Sequence, residues 1–295
     1  MMKLPMVTVM FIACFFWNLH TACEEEHMKE NPYVLATGEK AKKILDTQHE
    51  LFAEVSYRHL EEAELAAGKK VYDIGCGSGV MTEYLANKVG EEGHVVAVDI
   101  SPEQIGVTRA RIEEAGLSNV TFITGDMATI DLPEGEADIV YARFFLMHQR
   151  KVSSIIKKMK SLLKRGGVLV LEESVMSSHH FSERSDAFDA FVKSLVALGN
   201  HKGVNFDIGY QLNALCEAVG FDQILSRSIE FKLPTSKVAP TLLARIDELR
   251  DGVIGAELAT SEQVDAWKEA IGEAFATGGP DSYVTSKQGH ILAWK

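Results

Sequence analysis

VYDIGCGSG, residues 71–79, is an apolar run that contains an acid and continues into three glycines spaced two apart. The apolar run predicts a buried strand, and the glycines predict a sharp turn into the helix that follows. Glycine adopts otherwise forbidden φ/ψ angles and lets a ligand approach the main chain closely. Because the first turn of a helix has unpaired N–H groups, this stretch predicts a site for a nucleotide-like ligand.

Length, composition and charge point to an ordinary globular protein that acts on a small molecule. The chain has 295 residues, of which 46% are hydrophobic, so it is long enough to bury a sizeable core. Its formal net charge is -12, which disfavours a nucleic-acid partner or an anionic membrane surface. We therefore expect a small-molecule substrate and no nucleic-acid partner.

Cysteine usage bears on metal binding and on the cellular compartment. The cysteines are Cys14, Cys23, Cys76 and Cys216, and none has the paired spacing that holds zinc. Such sparse use fits a reducing compartment better than a disulfide scaffold. The sequence therefore predicts a cytoplasmic protein with no metal site.

Residues 1–27 complicate that prediction. Lys3 precedes an apolar run over residues 6–17, which has the length of a signal-peptide core and is too short to cross a bilayer comfortably. One interpretation is an export signal, with an exported or membrane-tethered product. The other is a spurious N-terminal segment, with Met28 as the true start. No stable membrane span is expected in either case.

Strands alternate with helices from residue 69 onward. Strands are predicted at residues 71–74, 94–99, 120–124, 137–142, 168–172, 223–231 and 289–294. They are apolar almost throughout, as expected where helices cover both faces of a sheet. The pattern predicts an α/β fold, a Rossmann-like, doubly wound, mostly parallel seven-stranded sheet with helices on both faces. Helical insertions are expected at residues 179–203 and 238–275 in the C-terminal half.

The same pattern divides the chain into segments. Residues 28–68 are expected to form an N-terminal helical segment, and residues 69–173 the ligand-binding core. Residues 174–295 are expected to complete the sheet and to carry the insertions that surround a second substrate. In such sheets, ligands bind at the carboxyl ends of the strands. The polar residues there are Asp73, Asp99, Asp126 and Arg143.

The glycine spacing distinguishes between classes of nucleotide ligand. A dinucleotide fingerprint requires a third glycine or alanine at residue 80, where this chain has Val80. A nicotinamide-dependent oxidoreductase is therefore the less favoured alternative.

The pattern Asp-x-Gly-x-Gly-x-Gly at residues 73–79, followed by Asp99 and Asp126 at the next strand ends, resembles the class I S-adenosylmethionine-dependent methyltransferases. The resemblance covers about residues 69–172 and implies S-adenosyl-L-methionine as cofactor. It implies that Asp73 helps to hold the amino-acid end of the cofactor, Asp99 the ribose hydroxyls and Asp126 the adenine amino group. The further cofactor-binding residues that we expect are Gly75, Cys76, Gly77, Gly79, Ile100, Gln104, Met127 and Arg143.

Residues 33–48 resemble an N-terminal segment that closes over the cofactor in some small-molecule members of that family, with Tyr33 and Gln48 in the matching positions. Simple helix packing is the alternative for this segment. Both interpretations place it beside the core.

Methyl transfer is an in-line displacement, so the protein mainly aligns the reactants and excludes water. A general base is needed only where the acceptor must lose a proton early, and His148 is the candidate. Glu172 and Glu173 either orient an acceptor or are solvated or structural. The predicted function is a methyltransferase for a small molecule. The alternative from another class is a regulatory protein that binds the cofactor without turnover.

Overall fold

A seven-stranded β-sheet runs through the computed structural model, which describes residues 37–295. The strands are β1 (Lys70–Ile74), β2 (His94–Asp99), β3 (Val120–Thr124), β4 (Ala137–Arg143), β5 (Leu163–Phe181), β6 (Gln223–Pro234) and β7 (Tyr283–Trp294). Their order across the sheet is β3-β2-β1-β4-β5-β7-β6. Strands β1 to β5 pair in parallel, and β7 is antiparallel to both of its neighbours. The predicted α/β, Rossmann-like, mostly parallel seven-stranded sheet is confirmed.

Helices connect and flank the strands. They are α1 (Gly38–Glu62), α2 (Val80–Val89), α3 (Pro102–Glu114), α4 (Val152–Leu162), α5 (Asp186–Lys202), α6 (Leu212–Val219), α7 (Thr235–Gly255) and α8 (Ser261–Thr277). Short 3-10 turns occur at Leu146–His148 and Ile208–Tyr210. Helix α5 packs on β5 and α8, while α7 packs on α8 and α1. The two predicted helical insertions therefore meet each other, and the second one also meets the N-terminal helix.

Both faces of the sheet are covered. Side chains alternate between the two faces of a strand, yet Ile139, Val140 and Tyr141 of β4 are each at most 1% exposed. On one face, Leu60 of α1 and Leu85 of α2 belong to the same buried cluster as the strand residues. Burial on both sides explains why the strands read as uninterrupted apolar runs.

The start of α3 is capped by the residues just before it and at its first position. The Ser101 hydroxyl accepts a hydrogen bond from the Gln104 N–H at 3.2 Å, and Pro102 occupies the first helical position. There the missing N–H of proline leaves no hydrogen bond unmade. The helix ends just before Gly116, whose φ is 69°.

Strand β5 is much longer than its apolar run. The sequence predicts a strand at residues 168–172 and an insertion from residue 179, whereas β5 spans Leu163–Phe181 and α5 begins at Asp186. At its start Leu163 pairs with Ala137 of β4, and at its end β5 pairs with β7 as far as Phe181. The polar residues of the later extension have no apolar periodicity. Their conformation depends on β7 and on hydrogen bonds such as that from the Met176 N–H to the Phe206 carbonyl oxygen at 3.1 Å.

Several predictions concern residues 1–36, which lie outside the described part of the chain. They include the nature of residues 1–27 and the placement of Tyr33, and they stay predictions. Within residues 37–295, no helix is both long enough and apolar enough to cross a membrane. The segment boundaries at residues 68 and 173 and the cytoplasmic location also stay predictions.

Two glycines allow the 3-10 turn at residues 208–210 to lie against the sheet. A Cβ atom at Gly289 in β7 would overlap the carbonyl group of Gly209. A Cβ atom at Gly209 would lie 2.7 Å from the Glu173 carbonyl oxygen. Close approach of two backbones therefore requires glycine on both sides.

We predict that Gly289→Ala lowers the free energy of unfolding by about 1–3 kcal/mol, because the new methyl group overpacks this contact. Gly106→Ala in α3 is the control, since a Cβ atom there meets nothing within 4 Å. The control should raise stability by about 0.5–1 kcal/mol through helix propensity and a less flexible unfolded chain. Urea unfolding followed by circular dichroism measures both, and equal effects would contradict the close contact.

Candidate functional site

The carboxyl ends of the parallel strands meet at one edge of the sheet. Strand pairing sets Asp73 of β1 beside Tyr141 of β4, and Arg143 of β4 beside Glu172 of β5. Glu172 in turn pairs with His290 of β7. Because ligands of open α/β sheets bind at this edge, it is the candidate functional site.

The glycine turn, residues 75–79, follows β1, and its three glycines have left-handed backbone conformations. Gly75, Gly77 and Gly79 have φ values of 75°, 57° and 77°. L-residues with a side chain rarely adopt such angles, so the backbone requires glycine at these positions. The N–H groups of Gly75 and Cys76 donate to the Val98 carbonyl oxygen at 2.8 and 3.1 Å, which fastens the turn to β2.

Two of these glycines also leave no room for a side chain. A Cβ atom at Gly75 would lie 2.7 Å from Phe145 Cδ2, and one at Gly79 would lie 2.7 Å from Thr108 Cγ2. Between them, Cys76 is buried, and burial raises the pKa of its thiol well above the ordinary value. The turn therefore offers main chain rather than reactive side chains to a ligand.

Asp99 ties the end of β2 to the glycine turn. Its Oδ2 accepts a hydrogen bond from the Gly77 N–H at 3.0 Å, and its Oδ1 accepts one from the Ser101 N–H at 2.9 Å. Burial raises the pKa of Asp99, although these N–H groups favour its charged form. A carboxylate has about four lone-pair sites, so Asp99 keeps acceptor capacity for ligand hydroxyls. The next residue, Ile100, is 51% exposed.

The side chain of Gln104, near the start of α3, is buried. The side chain is 1% exposed, and its Oε1 accepts from the Gly38 N–H at 3.1 Å. Its Nε2 has no hydrogen-bond partner among the described residues. An unpartnered buried amide costs free energy, so this nitrogen is a candidate ligand donor.

The other two acidic residues predicted for the site, Asp73 and Asp126, accept hydrogen bonds from residues near them in the chain. Asp73 is 2% exposed and accepts from the Thr82 hydroxyl at 2.6 Å, while burial raises the pKa of Asp73 to about 6. Asp126 accepts from the Ala128 N–H at 2.8 Å, next to the buried Met127. Since Asp126 is only partly buried, it is the more accessible of the two.

Arg143 is directed toward α1. Its Nη1 donates to the Ser56 hydroxyl at 3.2 Å, and its Nη2 lies 3.2 Å from His49 Nδ1. Because a guanidinium only donates, His49 Nδ1 is the acceptor, and its Nε2 then donates to the Tyr57 hydroxyl at 3.0 Å. Burial and the nearby Arg143 lower the pKa of His49 to about 4, so the ring is neutral.

Helix α1 also contacts the glycine turn directly. Asp46 accepts from the Ser78 hydroxyl at 2.7 Å and from Arg111 Nη2 at 2.5 Å. Leu45 packs against Gly77, with its Cδ1 3.4 Å from the position of a Cβ atom there. Gln48, predicted to close over the cofactor, has its Oε1 3.4 Å from Arg245 Nη2 on α7. The segment thus covers the turn, but through Asp46 and Leu45 rather than through Gln48.

One side of α1 contacts the candidate site, and these residues were not among the predicted site residues. The residues concerned are Asp46, His49, Phe52, Ser56 and His59, and each contacts a strand end, the glycine turn or a loop of the site. Their spacing of three or four residues sets them on one side of a helix. That periodicity was the available signal, because a helix that only packs presents apolar residues there.

A buried hydrogen-bond network surrounds Glu172. The carboxylate is wholly buried and accepts from the Ser56 hydroxyl at 2.5 Å and the Tyr141 hydroxyl at 3.1 Å. His59 Nδ1 lies 3.0 Å from its other oxygen. Although burial alone raises the pKa of Glu172, the His59 hydrogen bond and nearby positive charges such as Arg143 lower it to about 2. Glu172 is therefore a buried anion with its partners in place, not a solvated side chain.

His59, Glu172 and His290 also have the donor atoms that suit a divalent metal ion. One ligand atom from each lies within 4.8 Å of the others. Both Glu172 oxygens, however, already accept hydrogen bonds, and the Arg143 cation lowers the pKa of Glu172 and of His290 from close by. Repulsion by a neighbouring guanidinium disfavours a second cation, so the geometry fits a hydrogen-bond network better than a metal centre.

His148 ends the 3-10 turn after β4 and is 7% exposed. Its ring packs edge-on against Phe206, with 5.7 Å between ring centroids. Burial, with a smaller contribution from the Arg245 cation, lowers the pKa of His148 to about 3. The ring is therefore neutral at physiological pH, and the general-base role of His148 stays a prediction.

Aromatic side chains from three elements meet next to this loop. Phe52 of α1 lies 5.5 Å from the Phe144 ring and 4.9 Å from the Phe231 ring of β6, measured between centroids. Both pairs have the edge-on geometry that aromatic rings favour. This aromatic cluster lies between α1, the loop after β4 and the end of β6, where the second insertion begins.

A family model of the methyltransferase domain matches residues 65–200. A curated relative, the ubiquinone/menaquinone biosynthesis C-methyltransferase UbiE of Pseudomonas paraeruginosa, is 31% identical over 178 residues. That alignment covers 55% of this chain and 68% of the relative. The residues that the family model matches include the glycine turn, Asp99, Asp126 and Arg143.

Solved structures share the fold. Phosphoethanolamine N-methyltransferase 2 of Haemonchus contortus, in complex with S-adenosyl-L-methionine, is 19% identical with a TM-score of 0.50, covering 78% of this chain and 49% of that chain. The cyclase SpnF is 20% identical with a TM-score of 0.50, covering 80% of each chain. Since one neighbour is an N-methyltransferase and the other a cyclase, the fold alone does not determine the reaction.

We predict that His148→Gln makes protein stability less sensitive to acid. An unfolded histidine has a pKa near 6.5, and the folded value near 3 means that below pH 6.5 the unfolded state binds the proton preferentially. Wild-type stability therefore falls with decreasing pH through this group, and the variant loses that contribution. Between pH 6.5 and 5 the wild type should lose about 2 kcal/mol relative to the variant.

Urea unfolding of both proteins at pH 7 and pH 5 measures this difference. Only the change in the gap between the two proteins is interpreted, because other buried groups titrate in both. A gap that stays constant over this range would show that His148 has the same pKa in the folded and the unfolded protein.

Proposed function

Because this chain belongs to the class I S-adenosylmethionine-dependent methyltransferases, we propose that it methylates a small, largely apolar molecule held against the aromatic cluster of Phe52, Phe144 and Phe231. The observation that supports this acceptor class is the junction of α1, the loop after β4 and β6, where aromatic rings converge. Apolar walls with a few polar groups are typical of small-molecule sites. Arg143 and His49 supply polar groups nearby.

The residues at the glycine turn fit S-adenosylmethionine. The turn has positive φ at Gly75, Gly77 and Gly79, and neighbouring side chains leave no room for a Cβ atom at two of these positions, so the turn requires glycine there. Asp99 keeps acceptor capacity for ribose hydroxyls, and the buried Gln104 Nε2 lacks a partner among the described residues. These observations are independent of the family resemblance.

We assign the cofactor contacts on that basis. Asp99 would accept from the ribose, Ile100 and Met127 would flank the adenine ring, and Asp126 would receive its amino group. Asp73 and Arg143 lie at the strand ends where the amino-acid part would be held. The main chain at Gly75, Cys76, Gly77 and Gly79 would line the cofactor, with Gln104 beneath it.

The cofactor supplies a methyl group activated by the adjacent sulfonium. The protein residues then have to align the acceptor with that methyl group and keep water out. Helix α1 covers the glycine turn through Asp46 and Leu45, which supports water exclusion. The low pKa of His148 leads us to propose that the reaction does not depend on this ring as a base.

We also propose an acceptor other than nucleic acid and a cytoplasmic location. The net charge of -12 supports an acceptor other than nucleic acid. Both described cysteines, Cys76 and Cys216, are free and buried, which supports a reducing compartment.

Isothermal titration calorimetry with S-adenosylhomocysteine and with NAD tests the cofactor assignment. We expect heat of binding with S-adenosylhomocysteine and none with NAD, because Val80 replaces the third glycine of the dinucleotide fingerprint. The opposite result would overturn the assignment in favour of an oxidoreductase. Incubation with a labelled methyl donor and a pool of small metabolites then identifies the acceptor, and binding without any transfer would favour a regulatory protein.

We predict that Asp99→Asn weakens S-adenosylhomocysteine binding by about 1–3 kcal/mol, since a charged acceptor for the ribose is lost. Asp138→Asn is the matched control, because Asp138 also accepts a backbone hydrogen bond, from the Lys70 N–H at 2.9 Å, but at the opposite end of the sheet. The control should bind S-adenosylhomocysteine like the wild type in the same titration. Unchanged affinity in Asp99→Asn would place the ribose elsewhere.

A further inference from the structure

We infer that Glu173 is a positioning residue for the cofactor site: its carboxylate holds the loop after β4 against the glycine turn. The inference rests on the proposed placement of the cofactor at that turn. Glu173 itself is wholly buried, so it acts on a ligand only through the residues that it contacts.

The Glu173 carboxylate caps the 3-10 turn at residues 146–148. Its Oε1 accepts from the N–H groups of Phe145 at 2.9 Å and Leu146 at 2.6 Å. Its Oε2 accepts from the Met147 N–H at 3.3 Å. Phe145 precedes the turn and provides no side-chain cap of its own. The cap therefore comes from a neighbouring strand, and it joins β5 to the loop that follows β4.

This loop is strained and lies directly on the glycine turn. Phe144 has a φ of 51°, an uncommon angle for a residue with a side chain, and its N–H donates to the Glu172 carbonyl oxygen at 2.9 Å. The next ring, Phe145, occupies the space that a Cβ atom at Gly75 would need. Strained backbone persists where its surroundings determine it, so releasing the cap should shift Phe145 and the wall of the turn.

The contacts of Glu173 require a carboxylate rather than any polar side chain. All three partners are N–H donors, and an ionised carboxylate offers acceptors only. An amide at this position would turn its NH2 group toward a backbone N–H and leave that donor unsatisfied. Burial raises the pKa of Glu173, whereas the three N–H groups favour the charged form. Because all three partners are donors, we assign the carboxylate form.

The test compares Glu173→Gln with Leu171→Ala. Leu171 is equally buried and lies on the same face of β5, but it contributes no hydrogen bond to the loop. Titration with S-adenosylhomocysteine should show at least a tenfold loss of affinity in Glu173→Gln and less than a twofold loss in Leu171→Ala. Thermal melts establish that both variants are folded at the temperature of titration, so a general loss of stability does not explain the difference.

Spectroscopy checks the cap itself. With selective nitrogen-15 labelling of leucine, the Leu146 amide proton should move upfield in Glu173→Gln, because its charged acceptor is lost. The same signal should stay in place in Leu171→Ala. An unmoved Leu146 signal in Glu173→Gln would overturn the inference.

A double-mutant cycle tests whether Glu173 acts through Phe145. If it does, adding Glu173→Gln to Phe145→Ala should lower the affinity for S-adenosylhomocysteine by less than threefold, since the Phe145 ring through which Glu173 acts is already absent. A full tenfold further loss, or wild-type affinity in Glu173→Gln alone, would overturn the inference.

If Glu173→Gln does not fold, Glu173→Asp replaces it in the binding test. It keeps the charge but is shorter, so we expect at least a threefold loss of affinity, and wild-type binding would overturn the inference. If the wild-type protein itself fails to bind S-adenosylhomocysteine, the proposed function fails, which is a separate outcome.

Discussion

The left-handed turn at residues 75–79 is the constraint on which the site depends. Its glycines reverse the chain between β1 and α2, and hydrogen bonds to Val98 and Asp99 hold the turn on β2. The same bonds set the position of the Asp99 carboxylate. Because Gly75 and Gly79 carry no side chain, Phe145 and Thr108 pack directly on their backbone. One backbone conformation therefore determines the ligand surface and the positions of the elements that surround it.

Helix α1 joins the two halves of the site. In the first half of α1, Asp46 bonds to the glycine turn, and toward the end of the helix Ser56 and His59 bond to Glu172 of β5. Phe52, between them, belongs to the aromatic cluster. A helix that carries polar groups on the side facing the sheet loses hydration when it packs, and the strand-end residues restore those hydrogen bonds. The glycine turn and the proposed acceptor region are thus physically connected through one helix.

Two adjacent carboxylates, Glu172 and Glu173, are buried midway along β5. Side chains alternate along a strand, so the two point to opposite faces of the sheet. Glu172 is stabilised by side chains of α1 and β4, and Glu173 by backbone N–H groups of the loop after β4. Buried charges are tolerated where hydrogen bonds compensate for lost hydration. Each carboxylate therefore fixes a different neighbouring segment to the same strand.

The sequence by itself determined which motifs follow one another along the chain: the glycine turn, then Asp99, then Asp126. Strands alternate with helices around these motifs, which implies a parallel sheet, and the motifs together imply a class of cofactor. These features are local, because strand periodicity, helix caps such as Ser101 and left-handed glycines depend on neighbours in the chain. Only the tertiary structure decided the length of β5, the polar contacts of α1, the weak basicity of His148 and the partners of Glu173. Those depend on pairing with β7, on burial and on hydrogen bonds between residues far apart in sequence, and none of these has a local pattern to read.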